Sequence, residues 1–261
     1  MLKLKKVKNY RDLSYLNNDK INIKPNLLIR SGHLHKLNKR SMQALNANNI
    51  LVLDLRSNQE ILEKPDKYKD ELNYLNIPVF DLSVYGVTRE HKSIKDALFK
   101  AKTVEEIKNN IPKLEHIYAS VIKEEIPRNN LKDIVNLIID NVINGKGVLY
   151  HCTAGKDRTG MVSVILLKIL GFDNDAVIND YLKTNIRAIR EKRKYYLGVL
   201  LLKRSKSLAK MIAEMMLAKE EYIRSFINAI DQLYGDFNSF IKIGLGIDDD
   251  ILFKFKGALI S

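Results

Sequence analysis

The chain has 261 residues, 46% of them apolar, enough to bury a sizeable core, and its one cysteine excludes an internal disulfide or a cysteine-pair metal site and fits a reducing compartment. The net charge of +13 favours anionic partners: phosphorylated proteins, inositol phosphates and phosphoinositides, or a transient anionic membrane surface. No zinc finger, aromatic RNA-binding motif or helix-turn-helix pattern supports a nucleic-acid partner, no apolar run is long enough to be an integral membrane segment, and the basic start lacks the apolar stretch of a signal peptide, so a cytoplasmic protein is expected.

Short apolar runs at 27–29 and 50–53 predict strands, and 39–48 between them has a helical period. Residues 73–79 predict a third strand, placed at an edge because Pro78 would interrupt a central one. Helical periodicity returns over 104–123 and 131–142. The uniformly apolar 148–150 predicts a central strand covered on both faces. Further helices are expected over 161–170, 173–184 and 220–233, then two short ones over 236–245 and 248–260, the last capped by the Asp248 cluster.

Two stretches fit this plan poorly. Residues 85–102 are polar. Residues 187–210 interleave nine basic side chains with an apolar run, against one acid, Glu191. This second stretch reads either as a helical lid, inserted near 186–216, or surface for acidic lipid or substrate, or as a core-packed helical pair with a solvated basic face. The whole predicts an α/β fold: a small, mostly parallel central sheet flanked by helices, with a helix-rich C-terminal half, in one domain over 1–261.

The most informative segment is His151-Cys152-Thr153-Ala154-Gly155-Lys156-Asp157-Arg158-Thr159-Gly160, with the predicted central strand before it and a helical pattern after it. A helix N-terminus offers unpaired N–H groups and a partial positive charge, so it binds phosphate and stabilises a thiolate. Cys152 is the candidate nucleophile, and Arg158 the planar fork that holds two phosphate oxygens. The amides of 153–158 (Thr153, Ala154, Gly155, Lys156, Asp157, Arg158) would hold the remaining oxygens, and Gly155 permits a positive φ and a close approach to the anion. Thr159 can donate to the sulfur when it leaves, and His151 can brace the loop through backbone carbonyls. Lys156 reads equally as a second phosphate contact or a solvated lysine. His33 and His35 lack the further ligands a metal site needs. Arg158 and the amides supply the charge stabilisation, so the chemistry requires no metal and no cofactor.

The same ten residues resemble the signature of the cysteine-dependent protein tyrosine phosphatase superfamily, and the Gly-Lys-Asp-Arg-Thr-Gly form resembles a bacterial and fungal branch of atypical tyrosine or dual-specificity phosphatases. Asn9-Tyr10-Arg11-Asp12-Leu13, Arg30-Ser31-Gly32-His33-Leu34, Asp54-Leu55-Arg56-Ser57 with Glu60, and Asp180-Tyr181-Leu182 resemble flanking motifs of that branch. Ser14-Tyr15 departs from the glycine pair usual after the first motif. The resemblance implies hydrolysis of phosphotyrosine, with dual specificity or phosphoinositide and inositol phosphate hydrolysis as the alternative. Cys152, Asp157 and Arg158 together argue against a module that binds phosphate without turnover.

Two residues compete for the role of general acid. Conventional tyrosine phosphatases use a Trp-Pro-Asp loop; this chain has no tryptophan, and the nearest substitute is Asp81 after Val79-Phe80. Asp157 inside the loop is the favoured candidate, because it lies near the leaving oxygen and needs no closing segment. Asp54 is expected to be structural, paired behind the loop with Arg11 or Arg56.

Overall fold

A computed structural model describes residues 1–80, 102–110 and 113–260. Asp81 and nearly all of the polar stretch 85–102 therefore lie outside the described residues. Among the described residues the five strands are β1 (Arg11–Asp12), β2 (Leu28–Gly32), β3 (Leu51–Asp54), β4 (Tyr74–Asn76) and β5 (Val148–Cys152). Their order in the sheet is β1-β2-β5-β3-β4. β5 runs parallel to β2 and β3, β3 runs parallel to β4, and only β1 is antiparallel. The expected central and edge positions of β5 and β4 are both observed.

The first residues of β2, β3 and β5 are apolar without alternation because successive side chains feed opposite cores, and the polar residues Arg30, Ser31, Asp54 and His151 come only toward the strand ends. Leu28, Leu51, Leu53, Val148 and Tyr150 face the larger core, whereas Ile29, Val52 and Leu149 face the smaller one. The smaller core is closed by α1 (Lys39–Ala47) through Met42 and Leu45. Next in the chain comes the short α2 (Asn58–Glu63), which the periodicity did not announce.

Helices α3 (Val104–Asn110) and α4 (Leu114–Lys123) replace the single helix expected over 104–123, and Pro112 lies between them. α5 (Glu125–Ile143) begins before the apolar period does; Pro127 is its third residue, in the first turn, where its missing N–H costs no helical bond. α6 (Asp157–Ile169), α7 (Asn174–Lys183) and α10 (Glu220–Tyr234) complete the helical layer on the larger core. The region 236–245 is one short turn, Phe237–Ser239, followed by a π turn, Phe240–Gly244. α11 (Asp249–Leu259) is capped by Asp248, whose side chain accepts from the Ile251 N–H at 2.8 Å.

The stretch that fitted poorly is a helix pair, α8 (Asn185–Lys203) and α9 (Lys206–Met215). The pair has its own small core: Ile107 of α3 packs with Val199, Leu208, Ala209 and Ile212.

Candidate active site

The three parallel strands β2, β3 and β5 end side by side. Gly32 is in register with Cys152, and Ser31 and Asp54 flank His151 from the two neighbouring strands. A loop that leaves such a strand end and enters a helix is where open α/β sheets bind ligands. Residues 153–156 make that turn, and α6 starts at Asp157.

The turn depends on Gly155. Its φ is +67°, and a Cβ there would lie 2.5 Å from the Ser31 carbonyl carbon and oxygen and 2.6 Å from the Gly32 nitrogen. Only glycine lets the loop sit this close to the backbone of β2. Gly160 serves packing: a Cβ there would lie 2.9 Å from the Tyr181 ring.

The loop carbonyls are taken from outside. Thr153 O accepts from the His33 N–H at 3.3 Å, and Gly155 O accepts from Asn9 Nδ2 at 2.6 Å and Arg30 Nη2 at 3.1 Å. Asn9 also donates to Ala154 O at 3.3 Å. The N-terminus of α6, in contrast, carries no side-chain cap, since Lys156 at the cap position makes no such bond. Carbonyls bound behind and helix-start amides without a side-chain cap give the polarity an anion site needs.

Cys152 is the last residue of β5, unpaired and buried. Arg158 is also buried and forms a two-pronged ion pair with Glu60, Nη1 to Oε2 at 2.5 Å and Nη2 to Oε1 at 2.7 Å. Burial resists ionisation of Glu60, but the Arg158 charge, its hydrogen bonds and that from Thr153 prevail and hold the carboxyl at about 2. Burial opposes the Arg158 charge in turn, and Glu60 more than compensates, raising its pKa. Glu60 also accepts from Thr153 Oγ1 at 2.5 Å, and closes a capping box with Ser57 at the start of α2. One carboxylate thus aims the guanidinium and fixes the loop. In the sequence Glu60 stood out only as part of a flanking motif.

Asp157, at the first position of α6, is partly exposed and accepts a hydrogen bond from the Tyr118 hydroxyl. Tyr118 has one proton and gives it to Asp157, so Tyr181, 2.7 Å away, donates to Tyr118. Burial, then the Asp157 charge, pushes the Tyr118 hydroxyl well above its ordinary pKa, which keeps it a neutral donor. Neither tyrosine was singled out for the site from the sequence. Lys156 is buried, and its Nζ donates to Met215 O at 3.1 Å, at the end of α9, and to Leu217 O at 3.3 Å, just past it. Solvent does not hold this ammonium; the helix pair does. The Thr159 hydroxyl is buried and meets no hydrogen-bond partner among the described residues, so the expected bond to sulfur is not formed here.

Behind the loop lie two buried charge clusters. In one, Arg30 pairs with Asp180, which also receives Arg11 Nε at 3.1 Å and the Tyr15 hydroxyl at 2.5 Å. Arg11 thus belongs to Asp180, and Asp54 pairs with Arg56. In the other cluster, Arg56 Nη2 lies 2.7 Å from both Asp54 and Asp66, and Tyr74 donates to Asp54. His151 completes it: Nε2 is in ionic contact with Asp66 at 3.2 Å, too poorly aligned for a hydrogen bond, and Nδ1 lies 3.4 Å from Cys152 O. Burial works against a charged His151, but Asp54 and Asp66 outweigh it and raise its pKa. Asp54, Asp66 and His151 are close enough to hold a metal ion, but the Arg56 guanidinium already binds both carboxylates. Asp66 carried no sequence signal.

The chain is similar to known phosphatases. The chain is 25% identical over 260 residues to the triple specificity protein phosphatase PtpB of Mycobacterium tuberculosis (strain ATCC 25618 / H37Rv), covering 92% of each chain. It is 30% identical over 109 residues to a putative tyrosine-protein phosphatase of Cupriavidus necator, covering 40% of this chain and 37% of that one. It is 24% identical over 156 residues to a tyrosine-protein phosphatase of Nostoc commune, covering 59% and 46%. The model of the tyrosine phosphatase family matches residues 2–261, from before Asn9 to past the last helix, and the chain belongs to that family.

Proposed function

We propose that residues 1–261 act as one phosphatase domain, in which Cys152 attacks the phosphorus of a phosphotyrosine side chain. The sulfur–phosphorus bond forms as the bond to the phenolic oxygen breaks, and Asp157 gives that oxygen its proton. Water then attacks the cysteinyl-phosphate, Asp157 takes the water's proton, and the thiolate departs with inorganic phosphate. Arg158 and the amides of the loop stabilise the charge on the transferring group in both steps. Thr159, with its buried and unpartnered hydroxyl, is the donor to the departing sulfur. The cover of the site is the α8–α9 pair, to which Lys156 is tied.

The observation that carries this reading is the loop's polarity: carbonyls bound from behind, an α6 N-terminus without a side-chain cap, a thiol at one end and an oriented guanidinium at the other. The triple specificity named for the mycobacterial relative supports substrates beyond phosphotyrosine. Phosphoserine and phosphoinositide substrates assayed beside phosphotyrosine measure that range.

A series of aryl phosphates of graded leaving-group pKa tests the roles. Cys152→Ser abolishes turnover while phosphate-ester binding persists; turnover within tenfold of wild type refutes the nucleophile. Asp157→Asn slows poor leaving groups by roughly a hundredfold or more and good ones little. An equal loss across the series, with a leaving-group-dependent loss in Asp81→Asn, transfers the acid role to Asp81.

A further inference from the structure

Helix α8 leaves the body of the protein beside the phosphate loop. Thr184, the residue before it, meets Asn9, which holds the Gly155 carbonyl. Of its 19 residues only Val199 is buried. Its inner side rests on α9 through Tyr196, Val199 and Leu200.

Its outer side is unusual for a protein surface. Ile186 is 73% exposed, Ile189 50%, Leu197 56% and Leu201 78%. At a helical turn of 100° per residue these four share an arc of about 140° with Arg190, Arg193 and Lys194, and the arc's Ile189 edge also holds Leu200, which turns onto α9. The strip is about 22 Å long from Ile186 to Leu201. The one acid in α8, Glu191, is paired with Lys8. The basic residues of the strip are exposed as well.

We propose that this face of α8 docks on an anionic lipid bilayer. Aliphatic side chains interleaved with arginine and lysine suit the boundary between acyl chains and headgroups, where the apolar groups sink and the long basic ones reach phosphate. The face is a convex cylinder carrying no acid, which matches a flat anionic layer. The groove beside it, between Lys8 and Leu202, takes only Lys194 from the strip. The net charge of +13 adds long-range attraction to the same layer. The proposal does not depend on turnover at Cys152.

The test is cosedimentation of the full chain with vesicles of phosphatidylcholine alone or with 30% phosphatidylserine. The expected result is partition onto the mixed vesicles and none onto phosphatidylcholine alone. Leu197→Asp with Leu201→Asp lowers the partition coefficient by roughly a hundredfold. Arg190→Gln and Arg193→Gln lower it by roughly fivefold each. All four changes leave kcat/KM on soluble p-nitrophenyl phosphate within twofold of wild type, which shows that the variants are folded. Absence of partition onto the mixed vesicles overturns the proposal. So does partition that the arginine changes remove and the leucine changes do not, a result that assigns the face to an acidic protein bound by charge alone.

Discussion

Glu60→Gln isolates the contact that aims Arg158. Glutamine keeps the shape and can still accept from Thr153, but it removes the charge facing a buried guanidinium. In the wild type the Glu60 carboxyl is held at about 2, against 4.5 for the free group. Because the folded value is depressed, the contribution is complete above the unfolded value and is lost as pH falls through the folded one. The shift corresponds to roughly 3 kcal/mol at neutral pH and roughly 1 kcal/mol at pH 3. Urea denaturation of both proteins at pH 7 and at pH 3 measures it. The stability difference is expected to shrink by roughly 2 kcal/mol on acidification. Activity is expected to fall as well, through kcat/KM, since the guanidinium loses its two-pronged orientation. A stability difference that is the same at both pH values would show that Glu60 acts by shape and not by charge, and would refute the argument.

Gly155→Ala should cost roughly 3 kcal/mol and most of the activity, because both the positive φ and the Ser31 backbone forbid a Cβ. Gly171→Ala, with a similar φ but open space around it, should cost only about 1 kcal/mol; equal thermal shifts for the two would refute the close-approach argument. Tyr118→Phe removes the hydrogen bond that positions Asp157, and should slow aryl phosphates with poor leaving groups about tenfold while sparing good ones. A uniform loss across the leaving-group series would make Tyr118 merely structural. The His151 pKa is raised on folding, so its contribution to stability is present below its unfolded value and lost as pH rises through the folded one. Asp66→Asn should flatten that decline as pH rises above the ordinary histidine value of 6.5 in denaturation curves, and an unchanged slope would remove Asp66 from the cluster.

The proposed phosphate loop can be put forward from sequence because its candidate chemistry is local: cysteine, glycine, arginine and helix start lie within ten consecutive residues. β5 was legible for a related reason, since a strand that feeds two cores has no polar alternation. What escaped were partners brought together only by the fold. Asn9 reaches the Gly155 carbonyl from 146 positions away, and Tyr118 meets Asp157 from 39 away. No local pattern encodes either meeting. Glu60 is the intermediate case: it stood in a flanking motif, and the structure shows it closing a capping box with Ser57 at the start of α2, but its second face, toward Arg158, exists only once β3 lies beside β5. The choice of partner for Asp54 has the same origin. Arg11 and Arg56 are equivalent candidates for Asp54 in sequence, and the choice falls to Arg56 because it is two residues along the same strand end, while β1 at the far side of β2 carries Arg11 toward Asp180.

The same geometry explains why so much charge is buried behind the proposed anion site. Leaving Arg30, Arg56 or Arg158 unpaired in an apolar core would cost several kcal/mol each. Asp180, Asp54 with Asp66, and Glu60 are their counter-ions. Each cluster then spends a remaining donor on the loop or its supports: Arg30 on the Gly155 carbonyl, His151 beside the Cys152 carbonyl, and Thr153 tied to Glu60. With the carbonyl side of the loop occupied, its backbone is held before any phosphate arrives, and binding need not supply the ordering of those residues.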